Sequence, residues 1–331
     1  MKGVETMVHE KLFTVVICTY NGSKNIVEVL DSICSCANID FYVDQIMVVD
    51  NASTDNLKEI VLNYIENHPI VSYVYEGRSG LSFARQKALN SKTDWVVYFD
   101  DDNLPSGNWF VGAAAMIKDN KKLGVFGGRN IAVVREQLSL EEELNLKAMK
   151  SNLACHYSSE NDYWSRINGS ALASVFGAGM IIRTEILKSF MDDGWTKGVG
   201  RQKTNLGAYE DSEIVNYAVK QGFVCSNCDT IYLYHLLSKN RMNTDYILRL
   251  RRGMEDSEFN YMLCSEKPFR LRTKAFIRDL KKFVKYQFIK TFATVPERKV
   301  FANYILISSK YGMRMYFPHM FAILKTKVIR K

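Results

Sequence analysis

Short apolar runs alternate with amphipathic stretches through the first hundred residues of the chain. The runs cover residues 13–19, 46–50, 71–75 and 95–99, and they are rich in β-branched and aromatic side chains. Each run has the length of a buried strand, and between the runs apolar residues recur at helical spacing. Strands that alternate with helices over short connections pair in parallel through right-handed crossovers. The pattern therefore predicts an open, mostly parallel α/β sheet flanked by helices.

Polar clusters follow three of these predicted strands, at the point where each strand ends. They are Thr19-Tyr20-Asn21, Asp50-Asn51 and Asp100-Asp101-Asp102. Open parallel sheets bind their ligands at the carboxyl ends of the strands. Adjacent carboxylates repel one another unless a cation lies between them, and hard oxygen ligands suit Mg²⁺ or Mn²⁺. The aspartate triplet thus indicates a metal site, with a solvated surface turn as the alternative.

Beyond Pro105 the pattern changes to longer and more polar segments. It predicts helices over residues 138–149 and 209–219, and strands over residues 174–182 and 223–233. After His235 the chain is basic and predicted to be helical. One helix, over residues 276–292, carries an apolar stripe flanked by lysines: Ile277, Leu280, Val284 and Phe288, with Lys281, Lys282 and Lys285 beside them.

Basic charge is concentrated in the last third of the chain. The whole sequence carries +8, but residues 236–331 contain 22 Lys+Arg and 7 Asp+Glu, a net charge of +15, and residues 1–235 carry −7. Such asymmetry points to an acidic partner, either phospholipid headgroups or nucleic acid. The chain has no nucleic-acid-binding motif, so we expect no nucleic-acid partner and favour an anionic membrane surface. A solvated helical face is the simpler alternative.

Composition narrows the class of protein further. With 47% hydrophobic and 24% charged residues, the chain is globular rather than disordered. Its seven cysteines are odd in number and scattered, which indicates reduced thiols in a cytoplasmic protein. Cys225 and Cys228 have the spacing of a zinc or redox pair, but no second ligand pair accompanies them. No apolar run is long enough for a membrane-spanning helix, and the first run is wrongly placed for a cleaved signal peptide.

Six segments of the chain occur in the order and at the spacing of one known family. They cover residues 15–21, 48–55, 80–85, 99–102, 177–180 and 209–213, with His235 and Arg241 beyond them. The chain resembles glycosyltransferase family 2 over roughly residues 13 to 241. Members of that family have the GT-A fold, a nucleotide-binding α/β sheet with a metal-binding DxD motif.

The resemblance implies a role for each matching residue. It implies a donor-binding site formed by Thr19, Asn21, Asp50, Arg85, Asp100 and Asp101. It implies a site for Mg²⁺ or Mn²⁺ formed by Asp102, Asp100 and His235, and it makes Asp211 the general base. Two departures from the family pattern, Asn51 in place of a second acid and residues 77–80 in place of an Asn-rich turn, leave the base of the donor nucleotide open.

The activity that the resemblance implies is an inverting sugar transfer. The donor would be a nucleotide-diphosphate sugar, and the acceptor a hydroxyl of a glycan or of a lipid-linked acceptor, in bacterial-type surface polysaccharide synthesis. Residues 1–240 would form the GT-A domain, with a donor half at 1–105 and an acceptor half at 106–240. Residues 241–331 would form a basic helical region, which could hold the enzyme peripherally on the inner face of the cell membrane.

Three other readings of the same residues remain. A haloacid-dehalogenase-type phosphatase needs its D-x-D after the first strand, whereas this cluster follows the fourth predicted strand. A metal-dependent nucleotidyltransferase usually has a Gly-rich loop with Arg and Lys after the first strand, and residues 19–24 differ from that. A membrane-surface binding protein without catalysis would use the basic region alone. Donor hydrolysis separates the transferase from a protein that only binds.

Overall fold

The chain folds into two compact units in the computed structural model, which describes residues 11–156, 175–192, 210–263 and 268–317. The sheet unit contains the described residues of 11–133, 154–156, 175–192 and 211–236. The helical unit contains the described residues of 134–153, 210, 237–263 and 268–317. The division of the chain at residue 240 stays a prediction.

Eight strands of the described chain form one sheet in the order β3-β2-β1-β4-β7-β6-β8-β5. Their bounds are β1 Phe13–Thr19, β2 Val43–Asp50, β3 Val71–Tyr75, β4 Trp95–Asp100, β5 Asn103–Pro105, β6 Leu123–Val133, β7 Met180–Arg183 and β8 Val224–Leu236. Strands β1 to β4 pair in parallel, and so do β6 and β8. Strand β7 is antiparallel to both β4 and β6, and β5 is antiparallel to β8. The predicted open, mostly parallel sheet is confirmed.

Parallel register places three strand ends side by side. Thr19, the last residue of β1, lies opposite Asp50, the last residue of β2. On the other side of β1, Cys18 lies opposite Asp100, where β4 ends. The polar residues that follow these strands therefore leave the sheet along the same edge, as parallel pairing requires.

Helices cover both faces of the sheet. In the sheet unit they are α1 Ile26–Cys34, α2 Ile39–Tyr42, α3 Leu57–Ile65, α4 Leu81–Arg85, α5 Trp109–Asp119 and α7 Thr184–Asp192. Helix α8, Glu210–Lys220, has all but its first residue in that unit. Alternate residues of each strand enter two separate apolar cores, with Val15 and Ile17 in one and Val16 and Cys18 in the other.

The helical unit consists of α6 Leu140–Met149, α9 Thr244–Leu263, α10 Pro268–Phe292 and α11 Pro296–Tyr316. Ser139 and Glu142 form a capping box at the start of α6, and Pro296 occupies the first turn of α11, where its missing N–H costs nothing. Helices α9, α10 and α11 share an apolar core around Met262, Phe276 and Tyr316. The helical character predicted beyond His235 is thereby confirmed.

Several elements differ from their predicted form. The strand predicted over residues 174–182 is confined to Met180–Arg183; residue 174 lies outside the described part of the chain. Gly179 has a φ of +78°, a left-handed conformation outside the extended range of a regular strand, and β7 begins at the residue after it. The sequence pattern missed β5, α5 and β6, and the helix predicted over residues 276–292 begins eight residues earlier, at Pro268. None of the described helices combines the length and apolarity needed to cross a bilayer.

Candidate active site

Asn21 joins the turn after β1 to the turn after β2. Its backbone φ is +57°, in the left-handed region that asparagine tolerates better than most residues. The backbone N–H of Asn21 donates to Ser53 Oγ at 2.9 Å, and the backbone N–H of Thr54 donates to the side-chain oxygen Asn21 Oδ1 at 2.8 Å. Asn21 therefore fixes the relative position of two of the polar strand ends.

Asp50 is buried at the end of β2, with both carboxylate oxygens engaged. Oδ1 accepts the backbone N–H of Ser53 at 2.8 Å, and Oδ2 accepts the phenol of Tyr73 at 2.6 Å. Burial and this bond to Asp50 both raise the pKa of Tyr73. The phenol is thus held as a donor, and the Asp50 carboxylate has a fixed orientation.

Asn51, the next residue, shapes the loop that leads into α4. Its Oδ1 accepts the N–H of Gly80 at 2.8 Å, and its Nδ2 donates to the carbonyl of Arg78 at 2.6 Å. Gly80 has a φ of +142°, and α4 begins at the residue after it. Asn51 was not among the predicted site residues, although its place directly after a strand-end aspartate was a usable signal.

Thr19 and Asp101 meet at the end of β1. The buried hydroxyl of Thr19 donates a short hydrogen bond to Asp101 Oδ2. A Cβ on Gly22 would overlap both of these oxygen atoms, so only glycine allows the turn to pass so close to them. The pairing places one carboxylate of the aspartate triplet against β1.

Asp102 is buried and faces β8. Its Oδ1 lies 3.2 Å from His235 Nε2 and accepts from Asn103 Nδ2 at 2.9 Å. The antiparallel pairing of β5 with β8 sets Asn103 opposite His235, which accounts for the contact. The Asn103 side chain also accepts the backbone N–H of Asp100 at 2.9 Å and so joins two members of the triplet.

His235 has protein groups at both ring nitrogens. Nε2 faces Asp102, and Nδ1 lies 3.5 Å from Cys155 Sγ. Burial by itself would lower the pKa of His235, but the Asp102 carboxylate more than offsets it and raises that pKa, so the imidazolium form is favoured. The arrangement makes His235 a hydrogen-bonding partner that orients Asp102.

Asp211 lies in the first turn of α8 and is held by two donors. Arg85 Nη1 is 2.8 Å from Asp211 Oδ1, and the N–H of Gly177 donates to Oδ2 at 2.7 Å. A Cβ on Gly177 would overlap the Arg85 guanidinium and both Asp211 oxygens. Two donors therefore fix the orientation of the Asp211 side chain.

Arg85 and Asp211 differ sharply in exposure. The Arg85 side chain is 3% exposed, whereas that of Asp211 is 36% exposed. The Arg85 guanidinium lies over the ring of Tyr98 at 5.3 Å, and the Tyr98 hydroxyl donates to the Arg85 carbonyl at 3.0 Å. A buried, anchored cation thus holds a carboxylate that reaches solvent. The contact joins residues 126 positions apart, and no local sequence signal points to it.

The structure brings the predicted site residues together in pairs: Thr19 with Asp101, Asp102 with His235, and Arg85 with Asp211. Within the described residues, three or more acidic, His or Cys side chains do not converge on one metal position. The strand-end aspartates nevertheless supply the hard oxygen donors that Mg²⁺ and Mn²⁺ prefer, and these ions usually take few protein ligands and share the substrate's phosphates. The oxygen ligands offered by these aspartates are therefore chemically suited to Mg²⁺ or Mn²⁺.

Comparison with protein families assigns the segment that contains the three aspartates and the ends of β1, β2 and β4. Residues 14–161 match the family model described as glycosyl transferase family 2. This match assigns residues 14–161 to glycosyltransferase family 2. The resemblance seen in the sequence is thereby confirmed, as is the assignment of the chain to the glycosyltransferases.

Curated relatives match about a third of the chain. An uncharacterized glycosyltransferase of Mycoplasma pneumoniae is 32% identical over 108 residues, which are 31% of this chain and 36% of the relative. A cholesterol galactosyltransferase of Borreliella burgdorferi is 28% identical over 102 residues, 30% of this chain and 27% of the relative. The chain thus covers about a third of the length of the curated relatives it matches.

Solved structures resemble the chain over most of its length. A mannosyltransferase from Pyrobaculum calidifontis is 16% identical, with 92% of this chain and 88% of that chain covered and a TM-score of 0.59. TarS residues 1–349 of S. aureus are 14% identical, with 92% and 90% covered and a TM-score of 0.52. Both are glycosyltransferase-like sheets with flanking helices, and they confirm the GT-A fold class.

Proposed function

We propose that this protein is an inverting glycosyltransferase that moves a sugar from a nucleotide-diphosphate donor to a hydroxyl group. The observation that carries the proposal is the solvent-reaching carboxylate of Asp211, held between buried Arg85 and the amide of Gly177. A base for an acceptor hydroxyl must be charged, oriented and accessible to the acceptor. Asp211 meets all three requirements.

A single base supports direct displacement with inversion. In that reaction the acceptor oxygen attacks the anomeric carbon while the base takes its proton and the nucleotide diphosphate departs. Each Asp211 oxygen already accepts from a protein donor, Oδ1 from Arg85 and Oδ2 from the N–H of Gly177. Whichever oxygen takes the proton would therefore also face one of these donors. We assign Arg85 a positioning role here, since its guanidinium contacts the base itself.

The donor nucleotide is proposed to lie at the carboxyl ends of β1, β2 and β4. Thr19, Asn21 and Asp50 lie at or directly after these strand ends, and Asn51 orders the loop toward α4. Two structures with this fold support a nucleotide-sugar donor: the P. calidifontis mannosyltransferase is in complex with GDP-Man and Mn²⁺, and TarS is in complex with UDP-GlcNAc, at a TM-score of 0.50. Asp100 and Asp101 are the remaining carboxylates proposed to serve this donor site.

A divalent ion is proposed at the aspartate triplet. Asp102 and Asp100 would hold it, and His235 would act through Asp102, because both of its ring nitrogens already face protein groups. When bound, Mg²⁺ or Mn²⁺ supplies charge neutralisation for the departing diphosphate. Asn103 contributes by joining the backbone N–H of Asp100 to the carboxylate of Asp102, so the Asp102 side chain keeps a fixed position relative to the end of β4.

The proposed acceptor is a glycan or a lipid-linked acceptor of bacterial-type surface polysaccharide synthesis, met at the cytoplasmic side of the cell membrane. One relative of the chain is named for galactosyl transfer to cholesterol, a lipid hydroxyl. The basic charge of the last third of the chain suits an acceptor that is held at an anionic surface.

The test begins with a thermal-shift panel of UDP- and GDP-sugars, each with and without Mn²⁺. A bound donor stabilises the folded state by mass action, so the matching donor is expected to raise the melting temperature only with the ion present. Transfer is then measured for wild type, Asp211→Asn and Asp119→Asn, a matched change at the exposed end of α5.

We expect Asp211→Asn to lower kcat by roughly 10²-fold or more with little change in donor affinity, as loss of a general base does. Asp119→Asn should leave both unchanged. The new linkage, examined by NMR, should have the opposite anomeric configuration to the donor. A retained anomer, or full activity of Asp211→Asn, would contradict the proposal.

A further inference from the structure

Helix α10 has one face that the described residues of the chain leave in solvent. The exposed positions recur every seven residues, or two helical turns, in three adjacent columns. The columns are Arg270, Ile277 and Val284; Lys274, Lys281 and Phe288; and Lys285 and Phe292. We refer to these eight residues as the exposed face of α10.

Large apolar side chains project from the middle and the end of this face. Val284 is 64% exposed, Phe288 is 66% exposed and Phe292 is 65% exposed. The rings of Phe288 and Phe292 contact each other with centroids 4.5 Å apart, so they form one apolar ridge. Single exposed apolar residues are ordinary, but a continuous row of them marks an interaction surface.

Charge on the exposed face has one sign only. Of the 25 residues of α10, eight are Lys or Arg and one is acidic, and that residue, Asp279, is fully buried on the opposite side. Four cations, Arg270, Lys274, Lys281 and Lys285, lie within the face. The neighbouring α11 adds exposed Arg298, Lys299 and Lys310. The surface therefore combines apolar side chains with uncompensated positive charge.

The tertiary structure alters the stripe predicted from the sequence. Leu280 packs against the apolar core of the helical unit, and Lys282 lies 3.8 Å from Asp279 Oδ1. The sequence had placed Leu280 on the stripe and Lys282 beside it. The true face is rotated toward Lys274, Lys281 and Phe292, where α9 and α11 leave the helix uncovered.

We propose that the exposed face of α10 binds an anionic phospholipid surface, lying parallel to it. Helices that lie in a membrane interface insert an apolar ridge below the headgroups, while lysines contact the lipid phosphates through flexible stems. The eight basic residues of α10 suit this position and exclude a spanning one. The proposal does not depend on the transfer reaction.

Other occupants fit this face less well. A second copy of the chain, related by a two-fold axis, would set the same lysines against one another. A soluble polyanion, such as a nucleic acid or an acidic glycan, would neutralise Lys281 and Lys285 but would leave Val284 and Phe288 in water. A lipid surface satisfies both kinds of side chain, because it offers phosphate and hydrocarbon within a few ångströms.

The experiment is vesicle flotation of the full chain. Vesicles of phosphatidylcholine alone are compared with an equal mixture of phosphatidylcholine and phosphatidylglycerol, at low and physiological salt. Wild type should float with the mixed vesicles only, and less at the higher salt. Lys281→Glu with Lys285→Glu should lower the partition coefficient by about 30-fold or more, since each lysine contributes about 1 kcal/mol. Phe288→Ser with Phe292→Ser should lower it by roughly tenfold.

A matched control reverses two exposed lysines of the sheet unit, Lys58→Glu with Lys118→Glu, for the same change in net charge. It should float like wild type. All changes are at exposed positions, and circular dichroism checks that each variant is folded. The proposal is overturned by unchanged flotation of both α10 variants, by equal loss in the control, or by equal binding to neutral vesicles. Loss of a dimer in place of loss of flotation would also overturn it, in favour of self-association.

Discussion

The sheet unit and the helical unit each contain a cluster of charged side chains, and the two clusters differ in charge balance. The strand-end cluster consists of Asp50, Asp100, Asp101, Asp102 and Asp211 with Arg85 and His235. The helical cluster consists of Arg251, Glu255, Glu258, Arg278, Asp279 and Lys282. The first has an excess of carboxylates, whereas the second pairs three carboxylates with three cations.

The helical cluster is enclosed by three helices. Arg278 forms a two-pronged ion pair with Glu258 and donates to Asp279 Oδ1 at 3.0 Å, while Ser308 donates to Glu255 Oε1 at 2.6 Å. Burial raises the pKa of Glu255 and lowers that of Arg251, as it does for any charge removed from water. A Cβ on Gly312 would overlap Asp279 Oδ2, so α11 can approach only with glycine there.

The comparison shows that similar charged residues can have two different effects in one chain. In a balanced, enclosed cluster the cations and carboxylates neutralise one another, and the cluster helps to determine which helices pack together. A cluster with excess negative charge at the edge of a sheet, one of whose carboxylates reaches solvent, suits the divalent ion and the donor proposed above. The comparison predicts that substitutions in the helical cluster change stability, and that those in the strand-end cluster change binding and turnover.

The largest effect is expected from Asp279→Ala. It removes a fully buried carboxylate that contacts Arg278 and Lys282, while Arg278 keeps its pair with Glu258, and loss of a charged hydrogen bond of this kind costs about 1.5–3 kcal/mol of unfolding free energy. Urea unfolding measures this, with Asp245→Ala, an exposed acid at the start of α9, as the control, expected to lose less than about 1 kcal/mol. A loss below that level for Asp279→Ala would mean that the helical cluster does not hold the helices together.

The next effect is expected from Gly177→Ala. The added methyl overlaps Arg85 and both Asp211 oxygens, so it should displace the carboxylate and lower kcat about 10²-fold. Donor affinity, followed by thermal shift, should stay near the wild-type value. Gly107→Ala is the matched control, since a methyl there meets no atom within 4 Å. Equal activity of the two variants would separate Asp211 from the reaction.

Asp101→Asn is expected to act on metal and donor together. The amide keeps the shape of the side chain and can still meet Thr19, but it removes one negative charge from the strand ends. The Mn²⁺ concentration for half-maximal donor binding should rise about tenfold, as for changes beside a metal site. Unfolding free energy without ligand should change little. An unaltered Mn²⁺ requirement would remove Asp101 from the site.

The smallest effect is expected from Glu76, a sheet-unit carboxylate that is already paired. Its bonds to Arg78, with a further contribution from Lys87, lower the pKa of Glu76 to about 2. Because the pKa is lower in the folded state, the Glu76 carboxylate stabilises the fold fully at pH values above its ordinary pKa of 4.5. This stabilisation is lost once the pH has fallen through about 2. Because Arg78 is mostly exposed, Glu76→Gln should cost only about 1 kcal/mol.

Urea titrations from pH 7 to pH 2 check this prediction. The difference between wild type and Glu76→Gln should be constant near neutrality and should shrink as the pH falls below about 4. Donor affinity at pH 7 should be the same in both proteins. If the difference in unfolding free energy between the two proteins grew toward low pH, the predicted downward shift of the Glu76 pKa would be contradicted.

Much of the strand-end cluster could be predicted because it follows from local pattern. Asp50 and Asp100 end apolar runs of strand length, and parallel strands bring their carboxyl ends to one edge whatever the rest of the chain does. The partners of these residues could not be predicted. Arg85 meets Asp211 only because the end of α4 lies beside the start of α8, and His235 meets Asp102 only because β5 pairs with β8.

The sequence by itself determined the alternation of strands and helices, the strand-end aspartates and the basic character of the last third of the chain. Each depends on residue order over a few turns or strands, which local physics sets. Only the tertiary structure decided which face of α10 stays in solvent, that Asp279 is buried, and which donors hold Asp211. An amphipathic pattern does not determine which side of a helix is covered or which charges are paired. Both depend on residues that are distant in the sequence and pack beside the helix only in the folded protein.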